Sequence, residues 1–163
     1  GRRWQMGTVQ LDFNNPELFG LEYVSPGNVA QRPYMVHCAK AGSIERFIGI
    51  LVEHYAGAFP AWLAPVQVTV APVADRHIEY AVSVGAAFTG AGLRVEVDRS
   101  SETVGDKIRR AITQKHPVIV VVGDKDVDAD TVGLRLYGAD EERRGVAVAD
   151  ALAELTELAK EPT

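Results

Sequence analysis

The sequence has one cysteine, Cys38, in 163 residues. A single thiol closes no disulfide within the chain, so no covalent staple supports the fold, and the composition suits a reducing, cytoplasmic setting. No apolar run reaches the ~18 residues that cross a bilayer, so no membrane association is expected. Positive charge is also scarce, with a net charge of −5. A stand-alone nucleic-acid binder usually carries the opposite sign, so any RNA contact has to come from a local basic patch. The start shows neither an initiator methionine nor the basic-then-apolar order of a signal peptide. Gly1-Arg2-Arg3-Trp4 instead reads as the interior of a longer chain. Internal repeats, low-complexity tracts and a phosphate-cradling P-loop are all missing. The four histidines, His37, His54, His77 and His116, show no metal-ligand spacing among themselves.

What is present is an ordinary globular composition, 47% apolar and 24% charged, able to bury a core. The patterning changes along the chain. Residues 7–13 alternate apolar and polar, as a half-buried strand does. Asn14-Asn15-Pro16 reads as a turn, 21–24 as a short strand, Ser25 to Asn28 as a loop, and 33–39 as a third strand. Strands this close, with short turns, predict an antiparallel sheet. Ser43 then stands as a natural N-cap, and Ile44, Phe47, Ile48, Leu51 and Tyr55 recur on one helical face before Gly57. Phe59 to Pro65, with two prolines, reads as a stiff connector, and the domain boundary is placed there: 1–60 and 61–163.

The second part alternates strand and helix. Strands are predicted at 66–73, 93–97, 117–122 and 131–137. Helices are predicted from Asp75 to about Thr89, over 103–115, and over 146–160, with Gly123 to Asp126 as a turn. The nearly all-apolar run 117–122 is expected to be covered on both faces. The fold class is α/β: an α+β piece with antiparallel strands, then an α/β domain with a mixed sheet.

Three clusters could carry chemistry. At Gly42-Ser43-Ile44-Glu45-Arg46, a strand leads into a helix N-terminus, where free N–H groups and the dipole suit a phosphate or carboxylate. Arg46, one turn in, could neutralise a phosphate or stack on a base. A plain N-cap with a surface ion pair at Glu45 is the alternative. His37 on the preceding strand could be a metal ligand or a satisfied structural residue; Cys38 points to the opposite face and cannot easily share a metal with it. Lys107, Arg109, Arg110 and Lys115, near Ser100 and Ser101, form either a phosphate-tracking patch or a solvated helix face.

Taken in order, Trp4 to Phe13, Arg32 to His37, Gly42 to Leu51 and Phe59 to Val68 resemble the bacterial threonyl-tRNA synthetase family. Gly42-Ser43-Ile44-Glu45-Arg46 is similar to class II motif 3. Gly105 to Arg109 and Val121 to Lys125 resemble the family's anticodon-binding domain, so the similarity runs over essentially the whole chain. It implies the last piece of an ATP-binding catalytic domain followed by an anticodon-binding domain. Arg46 matches the motif 3 arginine that holds the adenine and triphosphate of ATP. Gln5, Thr8 and Ser43 match residues lining the ATP and adenylate site, and Gln10 lies nearer the amino acid. His37 matches one of three ligands of a zinc that binds the amino and hydroxyl groups of threonine. The other two ligands, motifs 1 and 2 and most of a homodimer interface would lie upstream, so this stretch by itself should not catalyse the reaction. Partners implied are tRNA, threonine, and ATP with Mg.

The chain departs from the family at Met6 (usually Cys), Asn15 (usually Leu) and Cys38 (usually Arg). The changes at Met6 and Asn15, in the strand and turn by the pocket, fit a divergent second copy with altered sensitivity to pocket inhibitors. In the anticodon part, Ser100-Ser101 replace an Arg-Asn pair, Asp126 replaces a base-reading Glu, and a strand arginine is kept as Arg135. Ser101, Asp126 and Arg135 are therefore the implied anticodon contacts. A different class of function, a non-catalytic tRNA- or protein-binding module derived from a synthetase, remains the alternative.

Overall fold

The computed structural model describes residues 3–139 and 141–162. Contacts divide the chain into two compact units, Gly1–His54 and Tyr55–Thr163.

Among the described residues, the first unit is a pair of two-stranded antiparallel sheets and two helices. β1 (Gly7–Asp12) is followed by α1 (Asn14–Leu18), β2 (Tyr23–Val24), β3 (Ala30–Gln31), β4 (Met35–Lys40) and α2 (Ile44–His54). β1 and β4 pair antiparallel with Thr8 opposite Ala39 and Gln10 opposite His37, and β2 pairs with β3. One expectation changes here. Asn14 to Pro16 is the first turn of α1, because the Asp12 carboxylate accepts the backbone N–H groups of Asn14 and Asn15 at 2.9 and 3.0 Å and so satisfies donors that a helix start leaves open. Ala30–Gln31 forms a further short strand, held against Tyr23–Val24.

The second unit is a five-stranded sheet in the order β6-β5-β7-β8-β9. Its elements are β5 (Val68–Pro72), a 3₁₀ turn at Asp75–His77, α3 (Ile78–Gly90), β6 (Val95–Val97), α4 (Val104–Thr113), β7 (Val118–Val122), α5 (Asp124–Ala129), β8 (Thr131–Leu136), β9 (Arg143–Ala147) and α6 (Val148–Leu158). β6, β5 and β7 run parallel, and β8 and β9 are antiparallel, so the sheet is mixed as expected. Every residue of β5 and β7 is buried. One face packs Val68, Val70, Val120, Val132 and Leu134 against Phe88 of α3 and Leu155 of α6; the other packs Ala71, Ile119 and Val121 against α4. Covering both faces is what lets a five-residue run be entirely apolar.

Several sequence expectations are corrected. Asp75 is not a helix cap: the turn begins at Ala74, whose N–H donates to Nδ1 of buried His77 at 3.2 Å. That donor fixes the His77 proton on Nε2, which lies 2.9 Å from Asp124 Oδ1. Gly123 to Asp126 is the start of α5 rather than an open turn. The 146–160 helix is shorter, because 143–147 is drawn into the sheet as an edge strand beside β8. The connector Phe59–Pro65 is bonded to the second unit: Gln67 donates to the Ala61 carbonyl at 2.8 Å, and Arg94 donates to Ala64 and Trp62 at 2.9 and 2.8 Å.

Candidate functional site

On β1, alternation puts Thr8, Gln10 and Asp12 on one face, and the antiparallel register adds His37 and Ala39 of β4. Val9, Leu11, Val36 and Cys38 take the other. Gln5, just before the strand, reaches this polar face: its amide donates to Thr8 Oγ1 at 2.9 Å. Four of the residues singled out in the sequence, Gln5, Thr8, Gln10 and His37, thus converge on one sheet face.

The fifth and sixth, Ser43 and Arg46, stand at the start of α2. Gly42 turns the chain there with φ +63°, in the left-handed region that glycine occupies at little cost, and a Cβ on it would lie 3.9 Å from the Gln5 carbonyl oxygen. The helix start therefore lies beside the segment at Gln5 that leads into β1. Ser43 Oγ accepts the Arg46 N–H at 3.2 Å, so Ser43 is a true cap. Among the described residues no side chain pairs with the exposed Arg46 guanidinium, and Glu45 forms no ion pair.

His37 is half-exposed, and its Nε2 lies 2.9 Å from Asp12 Oδ2. The Asn15 backbone N–H, with His37 and Asn14 adding to it, holds the Asp12 carboxyl below its ordinary range against the opposing effect of burial. An ionised carboxylate only accepts, so Nε2 carries a proton, and in the neutral imidazole the lone pair is then on Nδ1. That arrangement, a carboxylate behind one ring nitrogen with the other open, is the one found behind metal-bound histidines. His37 therefore fits the ligand role. Among the described residues no three His, Cys, Asp or Glu side chains converge to hold a metal by themselves.

In the second unit a groove of about 920 Å³ opens at the end of β7. Val73, Ile108 and Val121 form its apolar floor, and Asp126, Glu142 and Arg144 stand on its walls. Glu142 folds over Gly133, where a Cβ would come 2.9 Å from Glu142 Oε1; Arg144 Nε donates to that same oxygen at 3.1 Å. Asp126 Oδ2 accepts the Gly123 N–H at 2.9 Å and Oδ1 accepts the Thr131 hydroxyl at 3.0 Å. Ser101 is exposed in the loop between β6 and α4. Because β6 and β7 are parallel, Ser101 and Asp126 lie at the same edge of the sheet. Arg135 does not join them there: it is half-buried on β8 opposite Ile119, four residues, or about 13 Å, down the strand from Thr131.

The basic cluster is not a patch. Lys107 is buried with Nζ 3.1 Å from the Pro72 carbonyl oxygen. Lys115 lies past the end of α4 with φ 59° and donates to the Ala56 carbonyl. Arg110 pairs with Asp98 and, at 2.5 Å, with Glu102; burial works to raise the Asp98 carboxyl, but the Ser100 hydroxyl and Arg110 outweigh it and hold it low. Only Arg109 points to solvent, loosely paired with Asp106 at 3.6 Å. Helical spacing alone cannot separate these fates, since the packing partner of each side chain comes from elsewhere in the chain. The same holds for residues that sequence reasoning passed over. Glu142 and Asp12 acquire their places from β8–β9 and β1–β4 pairing, although an Asp directly before Phe-Asn-Asn-Pro was a readable cap signal.

The two units match two family models. The description "Anticodon binding domain" covers residues 67–158, and "tRNA synthetase class II core domain (G, H, P, S and T)" covers 1–55. The chain therefore belongs to the anticodon binding domain family, here joined to class II synthetase core sequence. Its relatives are more particular. It is 50% identical over 163 residues to a threonine–tRNA ligase of Streptomyces avermitilis, covering 100% of this chain and 25% of that protein. It is 50% identical over 159 residues to the threonine–tRNA ligase of Deinococcus deserti, covering 96% and 24%. The crystal structure of the RNA binding domain of threonyl-tRNA synthetase from Cryptosporidium parvum superposes with a TM-score of 0.86 at 28% identity, covering 99% of this chain and 41% of that one. The chain spans about a quarter of the length of the curated relatives it matches.

Proposed function

We propose that this chain is the C-terminal part of a threonine–tRNA ligase, with residues 1–60 ending the catalytic domain and 61–163 binding the anticodon. The observation that carries the reading is the polar face of Gln5, Thr8, Gln10 and His37 set beside the helix start at Ser43 and Arg46, within a chain half identical to threonine–tRNA ligases. The activity joins the threonine carboxylate to the α-phosphate of ATP with release of pyrophosphate. Threonine then passes to the terminal ribose of its tRNA with release of AMP.

In this reading Arg46, free to move at the head of α2, is the catalytic residue and neutralises phosphate charge while holding the nucleotide. Gln5 and Thr8, bonded to each other, and Ser43 line the adenylate. Gln10, beside His37, faces the amino acid. His37 would offer Nδ1 to zinc, with two further ligands supplied by upstream sequence. When bound, the zinc supplies a Lewis-acid site for the amino and hydroxyl groups of threonine, which rejects valine for want of the hydroxyl. Mg enters with ATP, and a homodimer would form through the upstream part in the cytoplasm. In the second unit, Asp126 with Ser101 and Arg135 would meet the anticodon. The carboxylate walls of the groove suit the amino groups of bases better than phosphates, since they only accept.

The test is threonine-dependent ATP–pyrophosphate exchange by the longer protein that carries this chain. Arg46→Ala should lower kcat/KM by about 10²–10³-fold, and Thr8→Val by less. Robust exchange with a different amino acid would overturn the threonine assignment. No exchange with any amino acid, together with purified protein free of zinc, would favour the non-catalytic module.

A further inference from the structure

Asp12 collects more donors than a strand-end carboxylate needs. Its Oδ1 accepts the backbone N–H groups of Asn14 and Asn15 at 2.9 and 3.0 Å. Its Oδ2 takes the Asn15 side-chain amide, Nδ2, at 2.5 Å and faces His37 Nε2 at 2.9 Å. The four lone-pair sites of the carboxylate are thereby filled. Among the described residues, Asn15 alone holds both oxygens, one through its backbone and one through its side chain. The side-chain assignment is chemically forced, because an amide oxygen would face a carboxylate oxygen without a proton between them.

The backbone bonds anchor Oδ1 to the first turn of α1 and so restrain the twist about Cβ–Cγ from one side. The Asn15 amide grips the other oxygen, Oδ2, and narrows the remaining range of that twist. Oδ2 is the atom that meets His37 across the β1–β4 pair, 25 residues away in sequence. With Oδ2 held, His37 keeps its proton on Nε2 and turns Nδ1 outward. An apolar side chain at position 15 would keep the backbone cap and lose this second clamp.

We propose that Asn15 is a positioning residue for His37, acting through Asp12 to fix the imidazole tautomer and leave Nδ1 as the nitrogen available to a ligand. The consequence for metal binding rests on the reading of His37 as a zinc ligand; the tautomer itself does not.

Two measurements separate the two. The first is the neutral-imidazole ¹⁵N pattern of His37 in this chain, in the unsubstituted protein and in Asn15→Leu. The unsubstituted chain should show the Nε2–H form in large excess, and Asn15→Leu should bring the two tautomers to comparable populations while the α1 amides stay as protected as before. Asn15→Asp, which keeps the size but repels the Asp12 carboxylate, should lose the preference at least as far. A mainly Nδ1–H imidazole in the unsubstituted chain, or an unchanged ratio in Asn15→Leu, overturns the proposal. The second is zinc retention by the longer protein during dialysis against a chelator. Asn15→Leu should weaken retention by about tenfold, the usual cost of removing an outer support from a ligating histidine, and His37→Ala should weaken it more. A tautomer shift with zinc retention untouched by His37→Ala would support the role of Asn15 and sink the zinc reading. Equal retention in Asn15→Leu and the unsubstituted protein, where His37→Ala does lose zinc, would overturn the proposal for the metal-bound state.

Discussion

The two units of this chain use apolar residues in opposite ways. Among the described residues before Tyr55, Pro16 is the one that is buried, while Val9, Leu11, Phe13, Val36 and Ile48 all stand more than half exposed. After Tyr55 the apolar side chains converge: Phe88, Val70, Val120, Val122 and Val132 have no exposed surface. The first unit arranges functional groups on a two-stranded sheet, and a pair of strands cannot cover its own faces. The second has helices on both sides of five strands and builds a core of its own. Under the proposed function, chemistry and the stability of this chain are carried by different parts of it. Substitutions in each should report on different things.

The largest effect expected is in the second unit. Phe88→Ala removes a ring with no exposed surface and should destabilise this chain by about 3–5 kcal/mol in a denaturant titration. A cost under ~1 kcal/mol would mean that the second core is loose and the contrast is false. Next is Asp98, which caps its own loop through Ser100 and pairs with Arg110. Asp98→Ala leaves those partners unmet and should cost about 1–3 kcal/mol by the same titration.

A subtler effect is pH dependence. Burial holds the His116 imidazole below its ordinary value of 6.5, and Glu96 offsets this only partly. A depressed histidine favours the folded state while it is neutral. Its contribution is therefore complete above about pH 6.5 and is lost as pH falls through the folded value. The midpoint of unfolding should fall between about pH 7 and pH 5 more steeply in the unsubstituted chain than in His116→Gln. Equal slopes would remove His116 from the account. Smallest of all is Leu11→Ser in the first unit. Leu11 is 64% exposed, so the change should move the stability of this chain by no more than about 0.5 kcal/mol. A loss as large as that of Phe88→Ala would show that the first unit buries this face after all.

Much of this was legible in the residues. The apolar run at 117–122 announced a strand covered on both sides, and Ser43 before an amphipathic stretch announced a capped helix. Both follow from local patterning, which a strand or helix must obey wherever it lies. The elements that were misread are those whose identity is lent by a neighbour. Arg143–Ala147 is charged and glycine-containing, and becomes a strand only because β8 offers an unpaired edge. Asn14 to Pro16 becomes helical only because Asp12 turns its carboxylate back onto their N–H groups. Likewise the basic residues of α4 looked alike by spacing, yet Lys107 is buried under the Pro72 carbonyl and Arg110 is spent on Asp98 and Glu102.

By itself, then, the order of residues determined the strand and helix periods, the cap at Ser43, the alternation that puts Thr8 and Gln10 on one face, and the family resemblance. Those are properties of neighbours along the chain, within a few residues. Only the tertiary structure decided which side chains meet across larger gaps: His37 with Asp12, Arg76 and His77 with Asp124, Glu142 over Gly133. Such meetings depend on strand register and on which helix covers which face, and these are set by the packing of the whole unit rather than by any local run of residues.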